Sequence, residues 1–179
     1  IATRPWYTNP WAGCSHMKRM GAYLLQWHRR GLVPLKPLVD AIRFWYQVQD
    51  PDDGLWGAKS VRLQHRINGT FKLFSLIMDQ LDLPLPRADR IIDRVFEAFE
   101  APGYDETVGG CDEWDNWYVL MLARDKAPGY RTEDIRRMAA WRIIRILDLF
   151  PKPDGGFSYS ARTCAADWIG FDMAPVLPQ

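Results

Sequence analysis

The sequence has few cysteines and no excess of charge of either sign, and each absence excludes a class of protein. Three cysteines in 179 residues are too few for a disulfide framework, so they indicate reduced thiols or at most one disulfide. The 23 basic and 22 acidic residues give a formal net charge of +1, without the basic field that nucleic-acid binding usually needs. We therefore expect no nucleic-acid partner and a cytoplasmic location.

The sequence also lacks a long apolar run and a recognisable leader. No run approaches the roughly 20 residues that a membrane-spanning helix needs, so we expect no transmembrane segment. Residues 1–11 are aromatic and contain proline, whereas a signal peptide has a basic stretch followed by an apolar one. Because the chain begins with Ile1, it is expected to be a processed or partial piece of a longer polypeptide.

Apolar and aromatic residues are abundant enough for a substantial core. Hydrophobic residues make up 47% of the chain, and nine residues are tryptophan. A tryptophan side chain carries a large apolar area and one N–H donor, which suits a deep core or an aromatic-lined cavity. We predict a single domain over residues 1–179, with an irregular N-terminal segment at 1–12.

Three segments have apolar residues at three- and four-residue steps, which predicts amphipathic helices. They are residues 37–49, 88–100 and 135–150. In the last segment the buried stripe is expected to include Ile135, Met138, Ile143 and Leu147, and Arg142 is expected on the polar side.

Between these segments lie helices that are apolar on nearly every side. Residues 71–78 and 117–123 are of this kind, and 17–28 is a weaker example. A helix that is apolar all round is buried all round. Alternation of the two kinds predicts an all-α fold of about seven helices in two layers, with the apolar helices inside and the amphipathic helices outside.

The loop after the first amphipathic helix carries a repeat motif. Residues 44–56 read FWYQVQDPDDGLW, residues 153–157 are a partial copy, and 109–112 are a more divergent one. The first motif resembles the Gln–Gly–Trp repeat of squalene–hopene-type cyclases, in the superfamily of terpenoid cyclases and protein prenyltransferases. The resemblance implies an α/α toroid in which such turns tie outer helices to inner ones.

A ring of this superfamily has more helices than this chain provides. The resemblance therefore implies an open arc or an incomplete ring, completed by the rest of a longer chain or by another subunit. The acidic run 50–53 superficially matches the proton donor of the cyclases. It lies inside the turn motif, whereas the donor of that family lies elsewhere, so we assign it to turn formation and capping.

The starts of the apolar helices hold the most reactive side chains. All three cysteines, Cys14, Cys111 and Cys164, lie there. Together with His16 and Asp112 they offer the ligand types that zinc takes, although their spacing matches no strong zinc motif. The alternative is that each cysteine is a small buried residue at a close helix contact. We predict no cofactor, with zinc as the alternative.

Three carboxylates crowd the start of one apolar helix. Asp112, Glu113 and Asp115 lie beside Trp114 and Trp117. One interpretation is N-capping and a favourable interaction with the helix dipole. The other is general acid–base catalysis, because Asp112 and Asp115 stand three residues apart and can face one side, and a carboxyl group in an aromatic wall has a raised pKa.

Six residues at these helix starts or on their inner faces are candidates for substrate binding. Lys72 interrupts an otherwise apolar segment, and a buried lysine needs a partner or a function. The full set is Trp114, Trp117, Asn68, Lys72, His16 and Trp168.

Three functions fit these features, and the sequence does not decide whether the protein is an enzyme. The first is a cyclase- or prenyltransferase-type domain that acts on an isoprenoid or similar apolar substrate, since aromatic faces stabilise carbocations. The second is a carbohydrate-active toroid, a lyase or glycosidase, with a carboxylate pair. The third is a non-catalytic helical scaffold for protein association.

Overall fold

The computed structural model describes residues 6–107, 109–151, 155–158, 167–168 and 171–172, and this part of the chain is built from helices apart from a pair of two-residue strands near its end. Their bounds are α1 Pro10–Arg29, α2 Lys36–Gln47, α3 Leu63–Leu73 with a π-helical continuation Phe74–Met78, α4 Ala88–Phe99, α5 Tyr104–Thr107, α6 Gly110–Lys126 and α7 Thr132–Leu149. The predicted all-α class, with about seven helices, is confirmed.

The helices are arranged in two layers. Helix α3 lies between α1 and α6 and contacts both, so these three form the first layer. Helix α2 packs on α1, and α4 packs on α6 and α3. The start of α7 is held to α4 by the ion pair of Arg131 with Asp93 at 3.0 Å, and α7 is tied to α6 through Arg142 and Glu113. The amphipathic helices α2, α4 and α7 therefore form the second layer.

Helix α1 begins at Pro10, inside the segment 1–12 that the sequence predicts to be irregular. Asn9 caps the helix, because its side-chain oxygen accepts a hydrogen bond from the Ala12 amide at 3.2 Å, and proline is favoured at the first helical position. Gly69 lets α3 approach this start closely. A Cβ atom at Gly69 would lie 2.7 Å from Cβ of Pro10, so the helix contact requires glycine.

The segments predicted to be apolar on all sides are buried where they face other helices. Leu73, Phe74, Ile77 and Met78 are fully buried, and the π-helical continuation that holds three of them packs on α1. In α6, by contrast, Trp117, Tyr118 and Met121 are only half-buried, since they face a groove described below.

The prediction of which side of α7 is buried is wrong in the second half of the helix. Ile143 and Leu147 are 58% and 57% exposed, whereas Arg142 is 1% exposed. Arg142 lies seven residues after Ile135 and four after Met138, and this spacing puts it on their buried side. It is accommodated there because carboxylates of α5 and α6 neutralise it.

The turn after α2 is held together by hydrogen bonds of the glutamine and the tryptophan of the repeat motif. The side-chain amide of Gln49 donates hydrogen bonds to the carbonyl oxygens of Gly54, at 2.8 Å, and Pro86, at 3.1 Å. Trp56 is fully buried and donates from Nε1 to the Trp45 carbonyl at 2.8 Å. Gly54 has φ +75°, a conformation that favours glycine. The motif thus joins the end of α2 to the start of α4.

The acidic run 50–53 serves this turn, as assigned from the sequence. Asp50 accepts a hydrogen bond from the Asp52 amide at 2.9 Å, and Asp53 accepts one from the Leu55 amide at 3.1 Å. Asp53 is also ion-paired with buried Arg66 at 2.7 Å.

Replacing Gln49 by Ala is expected to lower the free energy of unfolding by about 1–2 kcal/mol, because two hydrogen bonds worth about 1 kcal/mol each are lost. Chemical denaturation followed by circular dichroism measures this change. The exposed neighbour Gln47 is the control, and Gln47→Ala should leave stability within about 0.5 kcal/mol. Equal effects of the two substitutions would show that the hydrogen bonds of Gln49 do not stabilise the fold.

The predicted start of an apolar helix at Cys164 extends to Trp168, and this prediction is wrong at its end. Asp167–Trp168 form a short strand, β1, that pairs antiparallel with β2, Phe171–Asp172. A two-residue extended segment cannot contribute a helix start. Cys164 and the side chain of Trp168 lie outside the described residues. No helix in the described part of the chain combines the length and apolarity needed to cross a membrane.

Candidate functional site

The three helices of the first layer, with the π-helical continuation of α3, bring four side chains together around one buried carboxylate. Asp115 of α6 is 2% exposed, and its Oδ2 lies 3.7 Å from Nζ of Lys72 on α3. Lys18 of α1 donates from Nζ to Oγ of Ser75 at 2.8 Å. The two lysine Nζ atoms lie 4.5 Å and 5.3 Å from the centre of the Phe71 ring. We call these five residues the Asp115 cluster.

Burial raises the pKa of Asp115 from 3.8 to about 7. Lys72 opposes this rise by favouring the ionised carboxylate, the negative charge of Asp112 adds to it, and Lys18 opposes it more weakly. A carboxyl group with such a pKa is protonated in a substantial fraction of molecules at neutral pH. Asp115 is therefore able both to donate and to accept a proton.

Asp112 stands in a different environment from Asp115. It is half-buried, and its Oδ1 accepts a hydrogen bond from the Asn68 side-chain amide at 2.5 Å. Asn68 is held in turn by Gln64, which donates to it at 2.7 Å and to Asn116 at 2.8 Å. This buried amide chain fixes the orientation of Asp112.

The capping interpretation of these carboxylates accounts for only part of the geometry. Helix α6 begins after Gly109, and among the described residues no side chain forms a cap hydrogen bond there. Asp112 lies in the first turn, where a negative charge interacts favourably with the helix dipole. The polar partners of both carboxylates nevertheless belong to the neighbouring helix α3: Asn68 for Asp112 and Lys72 for Asp115. In the part of the chain that the structure describes, neither carboxylate is bonded to an amide of its own helix.

Glu113 faces the second layer instead. Its carboxylate accepts hydrogen bonds from Arg142 at 2.8 and 3.1 Å, from the Tyr104 hydroxyl at 3.0 Å and from Nε1 of Trp117 at 2.8 Å. Arg142 also pairs with Asp105. Because both oxygens of Glu113 are engaged in a buried ion pair, we leave Glu113 out of the acid–base pair.

An open groove lies along α6 beside the Asp115 cluster. Its volume is about 320 Å³, and Trp114, at 64% exposure, stands at its rim. Tyr118 connects the groove to the cluster, since its ring meets Phe71 edge to face with centroids 5.0 Å apart. The lining residues are Asp79, Trp114, Trp117, Tyr118, Met121, Leu122 and Asp125.

The structure brings together four of the predicted site residues and separates others. Asp112, Asp115, Asn68 and Lys72 meet across α3 and α6. Trp114 and Trp117 line the adjacent groove. His16 is exposed on α1, and no hydrogen bond or ion pair in the described part of the chain links it to the cluster.

The ligands proposed for zinc do not meet in the described residues. Cys14 is fully buried, and burial raises the pKa of its thiol to about 12, which disfavours the thiolate that zinc binds. Cys111 is exposed. Among the described residues no group of three or more His, Cys, Asp or Glu side chains is placed to hold a metal ion. With Cys164 outside this range, the zinc alternative stays a prediction.

Sequence reasoning missed Lys18, Gln64, Asn116 and Arg142. The position of Arg142 was available from its spacing to Ile135. Lys18 follows Cys14 by four residues, which puts the two on the same face of α1. For Gln64 and Asn116 no sequence signal exists, because their pairing joins residues 52 positions apart.

Comparison of the chain with protein-family models, with curated proteins and with solved structures gives no match. The resemblance to the terpenoid cyclases therefore stays a prediction based on the turn motif at residues 44–56.

Proposed function

We propose that the protein is an acid–base enzyme whose substrate binds beside the Asp115 cluster. The observation that carries the proposal is the contrast between two carboxyl groups three residues apart. Asp115 is buried and has a pKa of about 7, whereas Asp112 is half-buried and accepts a hydrogen bond from Asn68. Paired carboxyl groups in unlike environments are typical of acid–base sites in which the two groups take different roles. Asp115 is the acid and Asp112 the partner.

The acid strength of Asp115 favours protonation of oxygen over protonation of carbon. An alkene is a very weak base, so a proton reaches its carbon only from a strong acid. The oxygen of a glycosidic bond becomes basic as the bond breaks, and an acid with a pKa near the working pH then transfers its proton efficiently. Asp115, with a pKa of about 7, suits this second reaction.

The groove beside the cluster suits a sugar-like substrate. Trp114 is largely exposed at the rim, and an exposed indole offers a flat apolar face to a sugar ring while Asp112 and Asp115 act on the adjacent bond. We therefore favour the carbohydrate-active interpretation, in which the enzyme is a glycosidase or a lyase.

Replacing Trp114 by Ala is expected to weaken oligosaccharide binding about tenfold, because a large apolar contact is lost. Fluorescence titration with neutral and acidic oligosaccharides measures the change. Trp27, also exposed, lies on α1 and stacks on Tyr23. Trp27→Ala is the matched control and should leave the dissociation constant unchanged. Oligosaccharide binding that is equal in both variants would remove the support for the carbohydrate interpretation.

The isoprenoid interpretation is the second candidate, and the apolar lining of the groove favours it. Met121, Leu122 and Trp117 line the groove, and such a wall accommodates an alkyl chain. Farnesol is the probe in the same titration. Tight binding of farnesol that Trp114→Ala weakens, together with no binding of oligosaccharides, would favour this candidate.

We further propose that another helical hairpin continues the two layers beyond α6 and α7, supplied by a longer chain or by another subunit. Ile143, Ile144 and Leu147 of α7 are 57–58% exposed, and adjacent exposed apolar residues are typical of an interaction surface. The same surface supports the third alternative, a scaffold for protein association.

A further inference from the structure

We infer that Lys18 and Lys72 form a binding site for an oxyanion, so that the substrate carries a carboxylate or phosphate group. The inference rests on the proposed function, because it assumes that the bound carboxylate or phosphate is part of the enzyme's substrate. The two ammonium groups come from different helices, α1 and α3, and both approach the ring of Phe71. This convergence holds two positive charges on one accessible face of the first layer.

Within the described ranges, the two ammonium groups have fewer carboxylate partners nearby than positive charges. Among the residues that the structure describes, Lys72 has one carboxylate partner, Asp115, at 3.7 Å. Lys18 donates to the neutral hydroxyl of Ser75, and within the described part of the chain no carboxylate lies within 4.0 Å of its Nζ. Burial lowers the pKa of Lys18, and repulsion from Lys72 lowers it further. An incoming anion would relieve this repulsion and complete the pairing.

The two lysines reach solvent without being freely exposed. The Lys72 side chain is 21% exposed, and Lys18 is also half-buried. Both ammonium groups lie over the Phe71 ring, and that of Lys18 donates to Ser75, so they are partly ordered before a ligand arrives. Ordered, partly desolvated cations bind an anion more strongly than mobile surface lysines do.

The position of Asp115 makes anion binding pH-dependent. Asp115 is faced by Lys72 from α3, by Lys18 from α1 and by Asp112 from its own helix. When Asp115 ionises it neutralises part of the lysine charge, so an anion should bind more weakly above about pH 7 than below it. By reciprocal linkage, a bound anion should raise the pKa of Asp115 and keep the general acid protonated.

Titration with inorganic sulfate, followed by amide chemical shifts, tests the site, because sulfate does not itself titrate near neutral pH. Lys18→Met and Lys72→Met keep the apolar stem, and each is expected to weaken binding about tenfold. Lys36→Met is the matched control, since Lys36 lies on α2 with its side chain 80% exposed. Competition by pyrophosphate or by malonate then distinguishes a phosphate from a carboxylate ligand.

Asp115→Asn separates this inference from the proposed function. The variant is expected to bind sulfate at all pH values as tightly as the wild type does below about pH 7. Sulfate binding that both lysine variants leave unchanged, or no saturable binding in the wild type, would overturn the lysine site. Full catalytic activity in Asp115→Asn would overturn the proposed acid while leaving the lysine site intact.

Discussion

Replacing Arg142 by Met is expected to lower the free energy of unfolding by about 3–5 kcal/mol, as loss of one partner from a buried ion pair does. Arg142 is 1% exposed and neutralises both Glu113, at 2.8 Å, and Asp105. Methionine fills most of the volume but leaves Glu113 charged inside the protein. Chemical denaturation at neutral pH measures the loss.

Arg145 provides the matched control, because it shares the partner Asp105 but not the burial. Its guanidinium pairs with Asp105 at 2.8 Å, and its side chain is 38% exposed. Arg145→Met should therefore cost about 1 kcal/mol or less. Adding Glu113→Gln to Arg142→Met should recover part of the stability, since the remaining buried charge is removed. If the two arginine variants lost equal stability, burial would not be the source of the effect.

The positions of the helices along the chain, and the layer to which each belongs, were predictable because the spacing of apolar residues indicates which side of a helix is buried. Residues 71–78 and 117–123 belong to the first layer and 88–100 to the second, as the patterns indicate. The same method failed on α7, where an arginine occupies a buried position and isoleucines are exposed. Hydrophobicity does not record that Glu113 and Asp105 neutralise Arg142, since those residues lie at least 29 positions away along the chain.

The site was predictable in its residue types but not in its pairing. Crowded carboxylates at the start of an apolar helix, and a lysine inside another, pointed to Asp112, Asp115 and Lys72. Lys18 had no such signal, because the proximity of its ammonium group to Phe71 and Ser75 depends on how closely α1 packs on α3. Glu113 had the same sequence signal as its neighbours. Its position on α6 places it on a different face of the helix from Asp112 and Asp115, where it pairs with Arg142 of the second layer.

Replacing Asp115 by Asn is expected to change stability and activity in opposite directions. The folded protein raises the pKa of this carboxyl group from 3.8 to about 7, so folding favours the protonated form. The stabilising contribution is complete below about pH 4 and is lost as the pH rises through 7. Above this range the wild type bears the cost of a buried carboxylate, on the order of 4 kcal/mol. Asn removes that cost.

Asp115→Asn should therefore be more stable than the wild type near pH 8 and equally stable near pH 4. Denaturation curves at the two pH values measure the difference, and Asp148→Asn, at an exposed position of α7, serves as the control with no effect at either pH. A wild-type stability that does not fall between these pH values would contradict the burial of an ionisable Asp115.

The same substitution should lower kcat/KM on the substrate of the protein by a factor on the order of 10²–10⁴, the contribution typical of a general acid. In the wild type, activity that depends on protonated Asp115 should fall as the pH rises above about 7, and this limb should be missing from the residual activity of the variant. A gain in stability accompanied by loss of activity is the result expected when a fold retains an unfavourable buried acid for its chemistry. A gain in stability without loss of activity would show that Asp115 is not the general acid.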